Sequence, residues 1–494
     1  MNNLPAPGIE PSDLAQTQQE AQAAFAMGVA QQSAGQVQAA MASFHRALVL
    51  QPDMAEAWSN LGMLLEDSQQ WDEAASAYQQ ALQHAPALFA AWLNLATLQA
   101  QRLQFDQAEA SFQRAIQLQP EDPAVWSNLG AMLTCMRRED DALACLQQAL
   151  QLDPGYDKAR FNLGYLLMRQ GHLREGWLCN ESRPFPHELQ AKLGITRWMG
   201  DALQGRSILI APDAAHGDLI HMVRYVPVLK ALGAGRIGIW GQPALKRLLR
   251  EVDGLDDYFA LDEPFAPAAW DCWVPLMSLP YVCGTTLDTI PAHLPYLHAD
   301  PVRVAARAAQ GMVPSAHADV EHARPALRVG LVWRGNPAHE NDAQRSLPSL
   351  VSLAPLWRVP GVRFFSLQSG AGSEEALSPP ADQPLEALAE PLGDFHETAA
   401  VVRNLDLVIG VDTSMVHLAG ALGQAVWVLL SDYKTDWRWM DDRADSPWYP
   451  GVMRLFRQDA VGPQAGQWAP VIERVAQALS ELAASGVSPA GEAR

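Results

Sequence analysis

Pro52, Pro86, Pro120 and Pro154 stand 34 residues apart. The same interval separates Ala40, Ala74, Ala108 and Ala142, and again Ala47, Ala81, Ala115 and Ala149. Large apolar side chains fall between them at Phe44, Tyr78, Phe112 and Leu146, and Trp58, Trp92 and Trp126 open three of the units. Gly28, Gly62, Gly130 and Gly164 recur where a small residue lets two helices approach, and Ala96 fills that place in the third unit. A period of this length holds one helix–turn–helix. Such a hairpin has an apolar face that it cannot bury alone, so neighbours must stack into a superhelix. Four full units begin near Ala21, Ala55, Phe89 and Pro123. A partial fifth begins near Asp157, with Gly176 in place of the packing alanine. The solenoid is thus predicted over 21–180, behind a Pro-, Gln- and Ala-rich lead-in (1–20) read as flexible.

The pattern is that of tetratricopeptide (TPR) repeats. Asn60, Asn94, Asn128 and Asn162 occupy the sixth position of their repeats, and Ala26 breaks the series in the first. In a TPR stack that position lines the concave groove. An amide offers a donor and an acceptor, so a ladder of amides can hold an extended peptide backbone without reading its side chains. This resembles the asparagine ladder in the TPR segment of eukaryotic O-linked N-acetylglucosamine transferase. Ordinary repeat consensus also accounts for the asparagines, and both readings stand at this stage.

Beyond a proline-containing, helix-poor junction (181–204), apolar β-branched runs alternate with helical stretches, as in doubly wound α/β folds. In a first segment (205–312), strands are expected at 207–211, 236–240 and 257–261, and helices at 219–232 and 243–252. Cys272, Trp273 and Cys283 read as core. A linker is expected at 313–325. The second segment (326–485) has expected strands at 326–333, 364–368, 407–411, 426–430 and 454–458. It also has a Pro-, Glu- and Ala-rich surface loop at 372–391 and a closing helix at 470–483, before a tail (486–494). Asp412-Thr413-Ser414 follows a buried strand and caps a helix that ends at Gly423. Open α/β sheets bind ligands at the carboxyl end of such a strand, and the free N–H groups and dipole of a helix start suit a phosphate. His417 lies about one turn into that helix.

The run D-T-S-M-V-H-L-A-G-A-L-G at 412–423 resembles the D-[ST]-x-x-x-H-x-A-x-A-x-G signature of bacterial heptosyltransferase-like glycosyltransferases (glycosyltransferase family nine). As a whole the chain is similar to bacterial proteins that fuse TPR repeats to such a domain. The resemblance implies a GT-B fold, two doubly wound Rossmann-like domains facing a cleft. It also implies a nucleotide-sugar donor held mainly by the second domain, an acceptor held mainly by the first, inverting transfer and no essential metal. The family's general base, in a G-x-G-D loop after the first strand, maps onto Asp218. Here Ala215-His216 replaces the Gly-Leu that family members often carry, so His216 is a second candidate for the base, and Asp218 as a helix cap is the competing reading. Arg224 on the same helix is a supporting residue. In the loop after the strand at 326–333, relatives show W-x-G-N-P-x-H-x-x-D-x-x-R-S, which carries donor-phosphate binding onto Arg345, close backbone approach onto Gly335, and secondary contacts onto Asn336 and His339. A solvated loop arginine is the alternative for Arg345. Relatives often have Lys where this chain has Glu340. Gln368 maps near the nucleotide, Thr413 and Ser414 near the diphosphate with His417, and Asp412 near a sugar or ribose hydroxyl or the helix start. Trp437 and Trp439 are read as stacking on a sugar or base, or as plain packing.

Charge bounds the partners. The chain carries −20, and residues 1–180 hold 9 Lys+Arg against 19 Asp+Glu, half of that total. With no basic stripe, nucleic acid and anionic membrane surfaces are unfavoured partners. Five widely spaced cysteines without C-x-x-C, no signal-peptide pattern and no apolar run near ~18 residues point to a soluble cytoplasmic protein. No D-x-D in a strand context and no His/carboxylate cluster with ligand spacing occurs, so no metal and no other cofactor is expected. Leaving-group charge then falls to a helix start and arginine. The leading expectation is a glycosyltransferase acting on a protein acceptor recruited by the TPR groove, such as a flagellin or other surface protein, at Ser, Thr or Asn. The competing readings are a non-catalytic TPR scaffold with a degenerate α/β remnant, and a transferase acting on a glycan while the repeats recruit other enzymes.

Overall fold

The structure, a computed structural model, describes residues 11–183, 185–312, 326–380, 382–383, 385–386, 388, 392–458 and 467–485. The expected linker at 313–325 and tail at 486–494 lie outside the described residues. The chain divides into two compact units: one runs through Thr134 and takes up Arg138–Ala159, and the other holds Cys135–Arg137 and everything from Arg160.

The first unit is helical. Its helices are α1 (Pro11–Ser33), α2 (Val37–Leu50), α3 (Ala55–Asp67), α4 (Trp71–His84), α5 (Phe89–Gln101), α6 (Phe105–Leu118), α7 (Pro123–Cys135) and α8 (Glu139–Leu152). α3, α5 and α7 start at the residues that open the sequence repeats. α1 starts at Pro11, inside the stretch expected to be flexible. Proline at a first helical position has no N–H to leave unpaired, and the Ala, Gln and Glu that follow are good helix formers.

The repeat residues make repeating contacts. A Cβ on Gly28, Gly62 or Gly130 would lie 2.7, 2.6 and 2.7 Å from Phe44, Tyr78 and Leu146, so the small residue of each first helix seats the large residue of the second. The indole N–H of Trp58, Trp92 and Trp126 donates to the carbonyl of Pro52, Pro86 and Pro120 at 2.8, 2.9 and 2.8 Å. Tryptophan and proline are thus one device, tying each helix start to the turn before it. A third repeat is visible only in the backbone. Gly35, Gln69, Leu103, Arg137 and Gly171, each 34 residues from the next, have φ of 70°, 59°, 60°, 57° and 84°.

The second unit opens with α9 (Asp157–Arg169), most of which belongs to it, and α10 (Leu173–Asn180). A helix, Phe185–Leu193, occupies the junction expected to be helix-poor; its proline falls in the first turn, where a missing N–H is harmless. Four parallel strands form the first sheet, in order β3-β2-β1-β4: β1 (Ser207–Ala211), β2 (Arg236–Gly241), β3 (Asp257–Ala260) and β4 (Cys272–Pro275). Cys272 and Trp273, read from sequence as core, are indeed buried, and they belong to a strand paired with β1, Leu209 opposite Trp273.

Six parallel strands form the second sheet, in order β10-β9-β8-β5-β6-β7. They are β5 (Leu327–Val332), β6 (Val362–Ser366), β7 (Leu385–Glu386), β8 (Leu407–Val411), β9 (Val426–Leu430) and β10 (Met453–Arg457). The loop expected at 372–391 instead contains the helix Ser373–Leu377 and the edge strand β7. β7 is short, and Arg363 grips its Glu386 carboxylate with two hydrogen bonds of 2.8 and 2.7 Å. The closing helix is Ala469–Ser485.

Each sheet has a point where its strand order reverses: between β1 and β4, and between β5 and β8. Loops at the carboxyl ends of those strands line the natural ligand crevice of an open parallel sheet.

Candidate functional site

Those loops meet. A Cβ on Gly217, after β1, would lie 3.2 Å from the His417 ring and 3.4 Å from Ser414 Cα. The helices His216–Met222 and Ser414–Ala421 therefore approach closely, and Gly217 is the residue that permits it.

Asp218 uses both carboxylate oxygens. Oδ2 accepts from the Ala215 N–H at 2.9 Å, which is the helix-capping role expected as one alternative. Oδ1 accepts from the Arg438 guanidinium. His216, the second base candidate, stacks its ring on Phe395, 24° from parallel, and burial lowers its pKa.

Arg438 is the residue that sequence reasoning missed. It is 4% exposed, pairs with both oxygens of Asp436 at 3.0 Å and lies 4.2 Å from the Trp437 ring. Burial works against its charge, but Asp436 and Asp218 outweigh burial and push its pKa above the ordinary arginine value. Its Nε has no hydrogen-bond partner among the described residues. No spacing in the sequence reveals a pairing across 220 residues; the Trp-Arg-Trp run in an acidic loop was the one available signal.

Asp412, at the end of β8, accepts from the indole N–H of Trp439 at 2.8 Å. Burial, then the Asp436 carboxylate, push its pKa up to about 6. Thr413 is the N-cap residue of the motif helix, and its hydroxyl is buried with no partner among the described residues. Ser414 opens that helix. His417 stacks on Trp439 with ring centroids 5.3 Å apart, bonds through Nδ1 to the Tyr449 hydroxyl at 2.9 Å, and faces Asp412 Oδ1 with Nε2 at 3.9 Å. Burial, then Arg438 and Arg224, hold its pKa well below the usual histidine value. Trp439 is fully buried and Trp437 is 5% exposed, packed edge-on against Trp177 at 4.8 Å. The packing reading of both indoles is therefore what the structure has; neither presents an open face for a sugar.

On the other side of the β5–β8 switch, a Cβ on Gly335 would meet Arg345 at 2.7 Å and Asp342 at 2.6 Å. Arg345 is held at its Nε by Asp342 at 3.3 Å and is half-buried, not a freely solvated loop side chain. Asn336 is exposed and closes its own turn through the Ala338 N–H at 3.0 Å. Gln368 spends its amide on the backbone of Trp333, Arg334, Ser369 and Ala371, which locks the ends of β5 and β6 together. Glu340 pairs with Lys434 at 3.3 Å, so a lysine from the loop after β9 reaches this position.

That loop is supported from α9 and α10. Tyr165 donates to the Thr435 carbonyl at 2.7 Å, and Arg169 pairs with Asp441 at 2.5 Å. Two of its residues, Lys434 and Met440, have φ of 49° and 51°; strain of this kind gathers where surrounding structure fixes a functional loop.

The asparagine series is half-buried throughout. Asn128 donates to the Thr97 hydroxyl at 3.1 Å, whereas Asn60 and Asn94 have no side-chain hydrogen bond to the described residues. Asn162 lies in the second unit.

No helix of the described residues is long and apolar enough to cross a membrane. Comparison with known proteins gives a match of residues 6–156 to the family model described as the C-terminal domain of cilia and flagella-associated protein 70, a TPR model. Protein FlbA of Caulobacter vibrioides is 28% identical over 343 residues, covering 65% of this chain and 54% of that protein. The chain thus spans about half the length of that curated relative, and an alignment this long extends past the repeats. Among solved structures, a MamA protein (18% identical, 36% of this chain and 96% of that one, TM-score 0.30), pilF of Pseudomonas aeruginosa (18%, 34% and 76%, 0.32) and YrrB, a TPR protein with an unusual peptide-binding site (20%, 37% and 96%, 0.29), are similar. The amino-terminal part of the chain is a TPR-like helical solenoid, and a region of parallel-stranded sheets follows it.

Proposed function

We propose that the sheet-bearing region is a GT-B glycosyltransferase that moves a sugar from a nucleotide-sugar donor to a protein acceptor engaged by the TPR repeats. The observation that carries this reading is the meeting of the two switch points. A carboxylate, Asp218, comes from one, and a helix start with an unpartnered Thr413 hydroxyl and two arginines, Arg345 and Arg438, comes from the other side. Group transfer without a metal needs this division of labour. Asp218 removes the proton of the attacking acceptor hydroxyl. The Thr413 and Ser414 N–H groups, Arg345 and, once released from Asp218, Arg438 stabilise the departing diphosphate. His417 adds a neutral donor one turn in. The TPR solenoid supports a protein partner, and the FlbA likeness beyond the repeats supports one fused architecture. Nucleotide sugars are made in the cytoplasm, where this reading places the reaction.

A thermal-shift screen against UDP-, GDP-, ADP-, dTDP- and CMP-sugars tests it. A working site at 100 Kd gives about 2.7 kcal/mol of stabilisation, and Arg345→Ala removes the shift. A second reading, a non-catalytic scaffold, is favoured by the double engagement of Asp218 and by Glu340 where relatives carry lysine. Silence across the panel supports that one.

A further inference from the structure

Beneath the motif helix lies a buried hydrogen-bonded chain whose polarity can be worked out from valence alone. The Tyr449 hydroxyl is 2.9 Å from His417 Nδ1, 3.1 Å from His221 Nδ1 and 3.4 Å from the Tyr296 hydroxyl, which donates to it. Tyr296 in turn accepts from Arg224 at 2.9 Å. His221 is fully buried, and its Nε2 has no partner among the described residues.

Tyr449 has one proton to give. If that proton goes to His221, the His221 N–H sits on Nε2, buried with no acceptor, and His417 must donate through Nδ1. Its bare Nε2 lone pair then faces the Asp412 carboxylate at 3.9 Å. Both consequences are unfavourable. If the proton goes to His417, His221 donates through Nδ1 to Tyr449, the buried His221 Nε2 is a bare nitrogen, and His417 carries its proton on Nε2, facing Asp412. Every donor then has an acceptor or an opposite charge before it. Burial, with Arg438 and Arg224 close by, keeps both rings neutral, so the choice is between tautomers and not between charge states.

We infer that Tyr449 is a positioning residue that fixes His417 as the Nε2–H tautomer, so that the ring presents a hydrogen-bond donor, not an acceptor, to an anionic group at the start of the motif helix. The inference deepens the proposed donor site and rests on that reading for its ligand, a nucleoside mono- or diphosphate. The tautomer itself does not depend on the reading.

The experiment has two arms on the full chain. In the first, nitrogen-15 spectra of histidine-labelled protein at pH 8, assigned with His417→Gln and His221→Gln, are expected to show His417 protonated at Nε2 and bare at Nδ1, with His221 the reverse. A His417 protonated at Nδ1 overturns the inference, whatever the protein binds. In the second arm, UDP, GDP, ADP, dTDP and CMP are titrated and the tightest is used as probe. Gln places an amide donor near the position of Nε2, so His417→Gln is expected to retain binding and His417→Asn to lose it. Tyr449→Phe is expected to weaken the probe about tenfold in the native background and not at all in His417→Gln. Equal losses in both backgrounds mean that Tyr449 acts by structure alone and sink the inference. If none of the five binds while the spectra are as expected, the donor-site reading fails and the tautomer assignment stands.

Discussion

Asp218 and Arg438 form an ion pair that joins the loop after β1 to the loop after β9. The carboxylate also caps its own helix, and the guanidinium also holds Asp436. Arg438 thus sits between two acids that follow strands of the two sheets. Asp218→Asn keeps the cap geometry but cannot accept a proton. On the proposed transferase reading, transfer is expected to fall about 10³-fold, with donor affinity unchanged or tighter, read by single-turnover rates beside equilibrium titration. Native rates in that variant remove Asp218 from the mechanism.

Arg438→Met leaves two partly buried carboxylates facing each other without their cation. Breaking a buried pair from one side costs about 3 kcal/mol. Urea unfolding followed by tryptophan fluorescence is the readout, since the Trp437 ring lies against this guanidinium. A loss below about 0.5 kcal/mol would mean that the pair is solvent-screened.

Asp412 makes a pH prediction. Unfolded, its carboxyl ionises near 4; folded, burial and Asp436 push it up to about 6. Between those values the folded state holds a proton that the unfolded state has lost. Stability is therefore present below about 4 and is lost as pH rises through about 6, on the order of 2–3 kcal/mol at ~1.4 per unit. Asp412→Asn ends this titration and keeps an oxygen for Trp439. The variant is expected to be more stable than the native chain at pH 8 and no more stable near pH 4. A difference that does not change with pH contradicts the assignment.

The inter-helix turns make another. Leu103 has φ of 60° in the turn after α5, a backbone that costs a non-glycine residue about 1–2 kcal/mol. Leu103→Gly is expected to stabilise the solenoid by about 1 kcal/mol, read by thermal or urea unfolding. The converse, Gly62→Leu, drives a side chain into the Tyr78 ring and is expected to cost about 1–3 kcal/mol.

Those turns also show what a sequence hides. Repeats carried by side-chain chemistry, such as Gly62 beneath Tyr78 or Trp58 tied to Pro52, were legible because packing dictates residue type. The left-handed turn position recurs as Gly, Gln, Leu, Arg and Gly, which share no chemistry, so only the backbone reveals it. β4 reads only as core in the sequence, because four residues closed by Pro275 give no period. β7 was hidden in a stretch rich in Pro, Glu and Ala, its pairing fixed by Arg363 from another strand. In the site, local residues such as Thr413, Ser414 and His417 were visible in one run. Arg438, whose partner is 220 residues away, was not, and Tyr449 had no signal before its distances to two histidines were known.

The two readings of the asparagine ladder are separated by function, with stability as the control. Asn128 bonds Thr97, so Asn128→Ala is expected to cost about 1 kcal/mol. Asn60 and Asn94 have no side-chain bond to the described residues, so repeat consensus predicts nothing to lose when they are replaced, and nothing to gain from keeping them. A groove that grips peptide backbone predicts a functional loss instead. The double variant Asn60→Ala/Asn94→Ala is expected to unfold within about 0.5 kcal/mol of the native chain and, on the proposed reading, to bind donor unchanged and to lose glycosylation of a protein acceptor in cells. A variant that destabilises the solenoid by several kcal/mol makes these amides structural, and one that glycosylates normally removes them from acceptor recognition.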